Sequence, residues 1–365
     1  MTLTRISTER RKVRRSRPPL TFERSGLTVG PYDGSDEDWD GFVADAEGSS
    51  FCHLSGWRET MSDVLGAEPA YIAARDQDAQ CRGVLPLMHV RSRLFGHYLI
   101  SMPFLNYGGP LGSQAARRYL GEAAVALAKH AGAGLLELRS REPYPSDLRV
   151  SRRKIIVQLA LPRQKEELWL EAFSAKLRSQ IKRPLKDGME VRFGTDQLLG
   201  FYEVFARNMR DLGTPVLPRA FFERIVEVFR DLVTVGVVYL GRKPVAAGCG
   251  FVWNGEFEMT WAASLREHSR QAPNMLLYWS LMKRMISLGV KAFNFGRCTP
   301  NSGTHRGTRS ATSSPGLVTM TVADSLHPIE LAMIAVVPSA TAVTRPLGDT
   351  LATSGELVRH DISAS

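Results

Sequence analysis

The run Pro244-Val245-Ala246-Ala247-Gly248-Cys249-Gly250-Phe251-Val252-Trp253, with Asn254-Gly255 and the strand Glu256 to Ala262 behind it, decides the fold. Two β-favouring runs joined by Asn-Gly are the strongest short hairpin signal, because that pair accepts the left-handed backbone of a tight turn. A polar loop follows, Ser264 to Ala272. Pro273 opens an apolar helix that stops at Gly289, in keeping with the end preferences of helices. The chain returns as the strand Lys291-Ala292-Phe293-Asn294-Phe295-Gly296-Arg297. The order is hairpin, loop, helix, strand, and the loop stands where the phosphates of a ligand would meet helix amides.

An equivalent unit precedes it. Arg82 to Met88 and Tyr98 to Leu105 read as strands, Asn106-Tyr107-Gly108-Gly109-Pro110 as the loop and Ala115 to Ala131 as the helix. Gly134-Leu135-Leu136-Glu137-Leu138-Arg139-Ser140-Arg141 closes it. The glycines that start the closing strands, Gly134 and Gly289, are 155 residues apart, a period of two like domains and not of a solenoid. The expected class is α/β, with mixed sheets flanked by helices. Domain 1 is expected over 28–162 and domain 2 over 163–305. A basic disordered arm (1–27) and a poorly packed tail (306–365) flank them.

At 365 residues the chain can build two cores, and 44% hydrophobic with 23% charged residues is ordinary for a globular protein. Cys52, Cys81, Cys249 and Cys298 show no paired spacing and read as reduced core or near-core thiols. No Cys or His motif has the spacing of a metal site. The apolar run Leu331 to Val337 is too short for a membrane span, and no apolar segment follows the N-terminal charges. A cytoplasmic location, free or peripheral to an inner membrane, is therefore expected.

The net charge is +10, and residues 1–24 set eight basic residues against Glu9 and Glu23. That block is either a solvated arm or a contact for RNA or anionic lipid, and no aromatic interrupts Arg5 to Arg17 to stack on bases. All 31 Phe, Trp and Tyr residues lie at or before Phe295, while 307–325 is rich in Ser, Thr and Gly. Packing is expected to weaken there.

Ser35 can cap a helix reaching Ala46, and Phe51-Cys52-His53-Leu54-Ser55-Gly56-Trp57 leads into another that ends at Gly66. Ile155 to Leu159 is a strand, and Pro162 marks the crossing to the second domain. Lys165 to Phe173 is amphipathic and Ser174 to Lys186 basic, with Pro184 kinking or ending that helix. Two amphipathic helices, Gln197 to Leu212 and Pro218 to Leu232, bracket the polar turn Asn208-Met209-Arg210-Asp211-Leu212-Gly213-Thr214-Pro215.

At Phe51 to Trp57, Pro103-Phe104-Leu105-Asn106-Tyr107-Gly108-Gly109, Asn208 to Pro215 and Phe293 to Arg297, the chain resembles the FemAB-related acyltransferases. Within them it is most similar to the exosortase (PEP-CTERM) system-associated type. The resemblance covers about residues 28–305. It implies two tandem GNAT-type domains, of the acyl-CoA N-acyltransferase fold, and acyl transfer to an amine in envelope or exopolysaccharide assembly. The donor it implies is acyl-CoA or aminoacyl-tRNA, with no tightly bound cofactor; the acceptor is an amine-bearing glycan or peptide. The alternative is a non-catalytic module that binds anionic glycan-lipid or RNA through basic surfaces. Two departures stand out. Asn294 occupies a strand position where many relatives carry an acid, and after Ser302-Gly303-Thr304 the family's aromatic-basic stretch is replaced by His305-Arg306-Gly307. The expectation that joins the break and the aromatic loss is a change of reading frame near that point, which would impair this copy.

N-acyl transfer needs a deprotonated amine, a donor carbonyl beside it and donors for the oxyanion, and it needs no protein nucleophile. Asn106 and Tyr107 are candidates to orient a carbonyl and pass a proton, although the same residues make a good turn. Arg297, at a strand end, is either a catalytic ligand contact or a structural ion pair, and Ser302 and Thr304 beside it are further substrate-binding candidates. Arg270, Gln271 and Asn274 at the helix start form a candidate donor-phosphate loop that lacks the glycines of an acetyl-CoA loop; an ordinary surface loop fits equally. His53, Trp57, Asp211 and Thr214 are substrate-binding candidates, against core roles for the first two and helix termination for the others. The basic helix Lys176 to Lys186 is a solvated face or a contact for tRNA or anionic acceptor.

Overall fold

A computed structural model describes residues 21–92, 96–142, 144, 146, 148, 150 and 155–298. The tail from 306, the arm before Thr21, Ser302 and Thr304 lie outside the described residues. The first half runs β1 (Phe22–Arg24), β2 (Leu27–Pro31), α1 (Asp36–Asp45), α2 (Trp57–Leu65), β3 (Glu68–Pro69), β4 (Ile72–Arg75), β5 (Cys81–Leu85), β6 (Leu87–Ser92), β7 (Gly96–Ser101), β8 (Leu111–Gly112), α3 (Gln114–Ala131) and β9 (Leu135–Glu137). The second runs β10 (Ile155–Ala160), α4 (Lys165–Glu167), α5 (Ala175–Lys186), β11 (Met189–Phe193), α6 (Leu198–Asp211), α7 (Arg219–Val228), β12 (Val233–Leu240), β13 (Lys243–Trp253), β14 (Glu256–Ser264), α8 (Pro273–Ser287) and β15 (Ala292–Cys298).

Local chemistry sets these boundaries. Ser35 accepts the Asp38 amide at 3.0 Å and caps α1, while Asn254 and Gly255 (φ 46° and 77°) turn β13 back into β14. Pro86 has no amide hydrogen to give a ladder, and there the run Arg82 to Met88 splits into β5 and β6, which join different sheets. The second expected strand ends early, at Ser101, because Met102 and Phe104 turn the chain with φ 50° and 67°.

Helix α5 carries Pro184 inside it and continues to Lys186. Phe22–Arg24, expected within the disordered arm, instead form an edge strand on β2. Phe22 packs against the core that contains Val29, and Arg24 meets Glu122 at 2.7 Å.

The sheets are β1-β2-β4-β5-β8, β3-β6-β7-β9 and β10-β15-β14-β13-β12-β11. The two halves repeat one pattern: an antiparallel hairpin (β6/β7, β13/β14), a crossover helix, and a strand that returns parallel to the hairpin's second strand. Strand β10, read from sequence as the end of the first half, bonds to β15 in the six-stranded sheet. The halves also share a core. Phe51 stacks on Phe251 at 4.1 Å, and Trp57 lies 4.5 Å from Phe229. Among the described residues no helix is long and apolar enough to cross a membrane.

Candidate active site

Strands β14 and β15 run together for three residues and then part. Glu256, Phe257 and Glu258 face Ala292, Phe293 and Asn294, and the pairing ends there. Both strands are locally broken just beyond. Opposite β13, Thr260 is an extra residue between Met259 and Trp261; opposite β10, β15 bulges at Phe295 and Gly296. The result is a V. From Glu258 at its root, β14 climbs six residues to Ser264, about 20 Å at the usual rise of a strand. From Ser264 a short helical turn, Arg266–Gln271, leads into α8.

The first half fills the root of the V. Asn106 Nδ2 donates to Glu258 Oε1 at 2.7 Å. Gly296 makes this approach possible: its φ is 80°, and a Cβ there would stand 3.0 Å from Asn106 Nδ2. Arg141 Nη2 reaches both oxygens of Glu256, at 2.5 and 2.6 Å, and its guanidinium lies 4.6 Å from the centre of the Tyr107 ring. Asn294 Nδ2 donates to Glu256 at 2.7 Å and to the Tyr107 hydroxyl at 3.0 Å, while its carbonyl oxygen accepts the Gly296 amide. Gln158 adds a further donor to Glu256 at 2.8 Å.

Burial tunes this cluster. Glu258 is 2% exposed, and loss of water pushes its carboxyl up to about 7; the neighbouring charge of Glu256 acts in the same direction. The Asn106 hydrogen bond and the Arg141 charge oppose the rise. The buried Tyr107 hydroxyl is held well above its ordinary range, first by desolvation and then by Glu258, so it stays protonated. A carboxyl that titrates near neutrality at a strand junction is a group able to exchange protons.

The structure brings Asn106 and Tyr107 into one network with Glu256, Glu258, Asn294 and Arg141. Arg297 pairs through its backbone with Ile156, next to the Gly296 bulge. His53 and Trp57 are internal, which corrects the expectation that they meet substrate. The Ser50 amide donates to His53 Nδ1 at 3.1 Å, so Nε2 carries the hydrogen and donates to Gly109 O at 3.0 Å. Burial pushes this imidazole down to about 4, so it pins the 106–110 loop as a neutral donor. Trp57 is fully buried, and its indole N–H donates to Phe51 O at 2.9 Å.

At the tip of the V, Arg183 Nη1 holds Arg270 O at 2.9 Å. The Gln271 amide is engaged by Asp187 and His268, which makes it a fastener of the loop. Asn274 sits in the first turn of α8, where backbone amides lack helical acceptors. Ala272 takes the left-handed backbone (φ 55°, ψ 49°) that glycine usually supplies. Asp211 is exposed at the end of α6, and Thr214 lines a groove of about 810 Å³ with Tyr202, Arg207 and Arg210. The residues that sequence reasoning missed are Glu256, Glu258 and Arg141.

In the second half, two parallel strands thus part, and α8 links the end of β14 to the start of β15. Residues 172–306 match the family described as Acetyltransferase (GNAT) domain. The structure of FemX is similar, with 14% identity, a TM-score of 0.54, and coverage of 75% of this chain and 90% of that one. A tandem GNAT protein of the clavulanic acid pathway follows at 11% identity and TM-score 0.46, covering 76% and 91%. The C-terminal domain of a putative lysylphosphatidylglycerol synthetase from Agrobacterium fabrum has 14% identity and TM-score 0.47, covering 72% and 78%. No curated protein sequence matches the chain. The fold is α/β with tandem GNAT-like domains.

Proposed function

We propose that this protein is an N-acyltransferase that moves an acyl group from acyl-CoA or an aminoacyl ester to an amine, with Glu258 as the proton acceptor. The observation that carries the reading is the buried Glu258 carboxyl, poised near neutrality at the root of the V. Beyond Glu258 the edge of β14 has no β15 partner, which leaves backbone groups for the amides of an extended donor arm. The amides at the α8 start and the Arg270 side chain suit donor phosphates at the tip. In the step itself, the amine nitrogen attacks the donor carbonyl and its N–H proton passes to Glu258, directly or through one water. The carbonyl carbon's bond to sulfur, or to oxygen in an ester donor, then breaks, and the departing thiolate or alkoxide takes the proton that Glu258 holds, directly or through water, which returns the carboxylate. Asn106 holds the accepting carboxylate in place.

The acceptor we propose is an amine-bearing glycan or peptide of the cell envelope or an exopolysaccharide. That assignment and the exosortase association rest on the motif resemblance at residues 51–57, 103–109, 208–215 and 293–297, and a cytoplasmic location is proposed alongside them. The test is thiol release from a panel of acyl-CoA thioesters with amino-sugar and peptide acceptors, run on the full chain and on Glu258→Gln. Turnover that the variant loses supports the reading. Salt-sensitive binding of RNA or glycan-lipid, with no turnover on acyl-CoA or aminoacyl-tRNA, supports a binding module instead.

A further inference from the structure

Glu256 and Glu258 stand two residues apart on one face of β14, and the fold treats them differently. Glu256 receives the Arg141 guanidinium on both oxygens together with Gln158 and Asn294. Glu258 receives the neutral Asn106 amide at 2.7 Å and a distant Thr260 hydroxyl at 3.5 Å, and among the described residues it forms no ion pair within 4.0 Å. Two carboxylates placed so close would otherwise share protons between them.

We infer that Arg141 is a positioning residue of the acyl-transfer site: by engaging Glu256 and stacking on Tyr107 it reserves Glu258 as the single proton acceptor. This rests on the reading of Glu258 as the base. The guanidinium comes from the first half and the carboxylates from the second, so the proton chemistry of the second GNAT domain depends on its tandem partner. The titratable groups around Glu258 are Glu256 on its own strand and Cys52, Tyr107 and Arg141 from the first half; β15 presents the neutral Asn294, with Arg297 three residues on. Burial pushes the Cys52 thiol and the Tyr107 hydroxyl well above their ordinary ranges, so both stay neutral. The Glu256 and Arg141 charges are therefore the pair that sets the field at Glu258, and they act with opposite signs.

Opposite signs give a test that a merely structural role would not pass. The pH dependence of kcat/KM is measured for the full chain and for Arg141→Gln, Arg141→Lys, Glu256→Gln and the double variant Arg141→Gln/Glu256→Gln. Loss of the guanidinium is expected to move the acid limb up by about one pH unit, and loss of the Glu256 charge to move it down by a similar amount. The lysine variant should fall between the full chain and Arg141→Gln, and the double variant should return near the starting value. If Arg141→Gln does not fold, the lysine and Glu256→Gln variants decide the sign alone. Limbs that stay fixed while kcat falls in every variant would overturn the inference and leave the base assignment intact. A full-chain profile with no limb near neutrality, or one unchanged in Glu258→Gln, would remove the base assignment itself.

Discussion

Replacing Glu258 by glutamine is expected to stabilise the protein while disabling it. In the folded chain this carboxyl is pushed up to about 7 by burial, against 4.5 when free. At 1.36 kcal/mol per pH unit, the difference is worth about 3 kcal/mol. The sign follows from proton counts. Between the two values the folded chain holds a proton that the unfolded chain has released, so stability is complete below about pH 4.5 and is lost as pH rises through 7. Glutamine keeps the shape and the oxygen that accepts from Asn106, but it has no charge to desolvate.

Urea denaturation of both proteins across pH 4.5 to 8.5 measures the effect, and taking the difference cancels every other titrating group. The variant should match the wild type at the acid end and exceed it by about 3 kcal/mol at the alkaline end, worth about 6 °C in Tm. Its kcat should fall by about 10²- to 10⁴-fold, the usual contribution of a positioned base. A difference that is flat with pH would refute the reasoning, because it would mean the carboxylate is not held against its solvation.

Two further substitutions probe the V. Gly296→Ala adds a Cβ 3.0 Å from Asn106 Nδ2 at a left-handed φ; it should cost about 1–2 kcal/mol, read by urea denaturation. It should also displace Asn106 from Glu258, raising the acid limb of the pH–rate profile; an unmoved limb would show that Asn106 does not depend on the bare glycine. Ala272→Gly should raise stability by about 1 kcal/mol, since glycine takes that backbone without a Cβ clash; a lower Tm would mean that the alanine methyl packs usefully.

Much of the fold was legible because it is written locally. The Asn254-Gly255 turn, the Ser35 cap and Pro273 at the start of α8 are short-range signals, and each element stands where its signal placed it. Strand β10 was harder, since an apolar run does not name its partner, and its bonds run to β15, more than 130 residues away. Phe51 to Trp57 misled in another way. A histidine and a tryptophan in a short apolar run leave ligand and core roles both open, and the folded chain decides: His53 is held by Ser50 and Gly109, and Trp57 packs against Phe229 and Phe251 of the second half.

Asn294 shows most clearly where sequence reading stops. The motif resemblance leads one to expect an acid at 294 and to read the amide there as a missing carboxylate, yet strand pairing brings one that the local sequence does not show. The parallel register sets Glu258 opposite Asn294, so a carboxylate stands across the same strand junction. The signal that could have found it is the alternation Glu256, Glu258, Thr260 with the apolar Phe257, Met259 and Trp261 set between and after them, since side chains of period two share a face. A polar face on a buried strand requires partners, and two of them, Asn106 and Arg141, come from the other half of the chain. The neutral Asn294 is then part of the arrangement, because it donates to Glu256 and to Tyr107 at once. An aspartate at 294 would have neither hydrogen to give, and would add a third negative charge beside two carboxylates already served by one guanidinium.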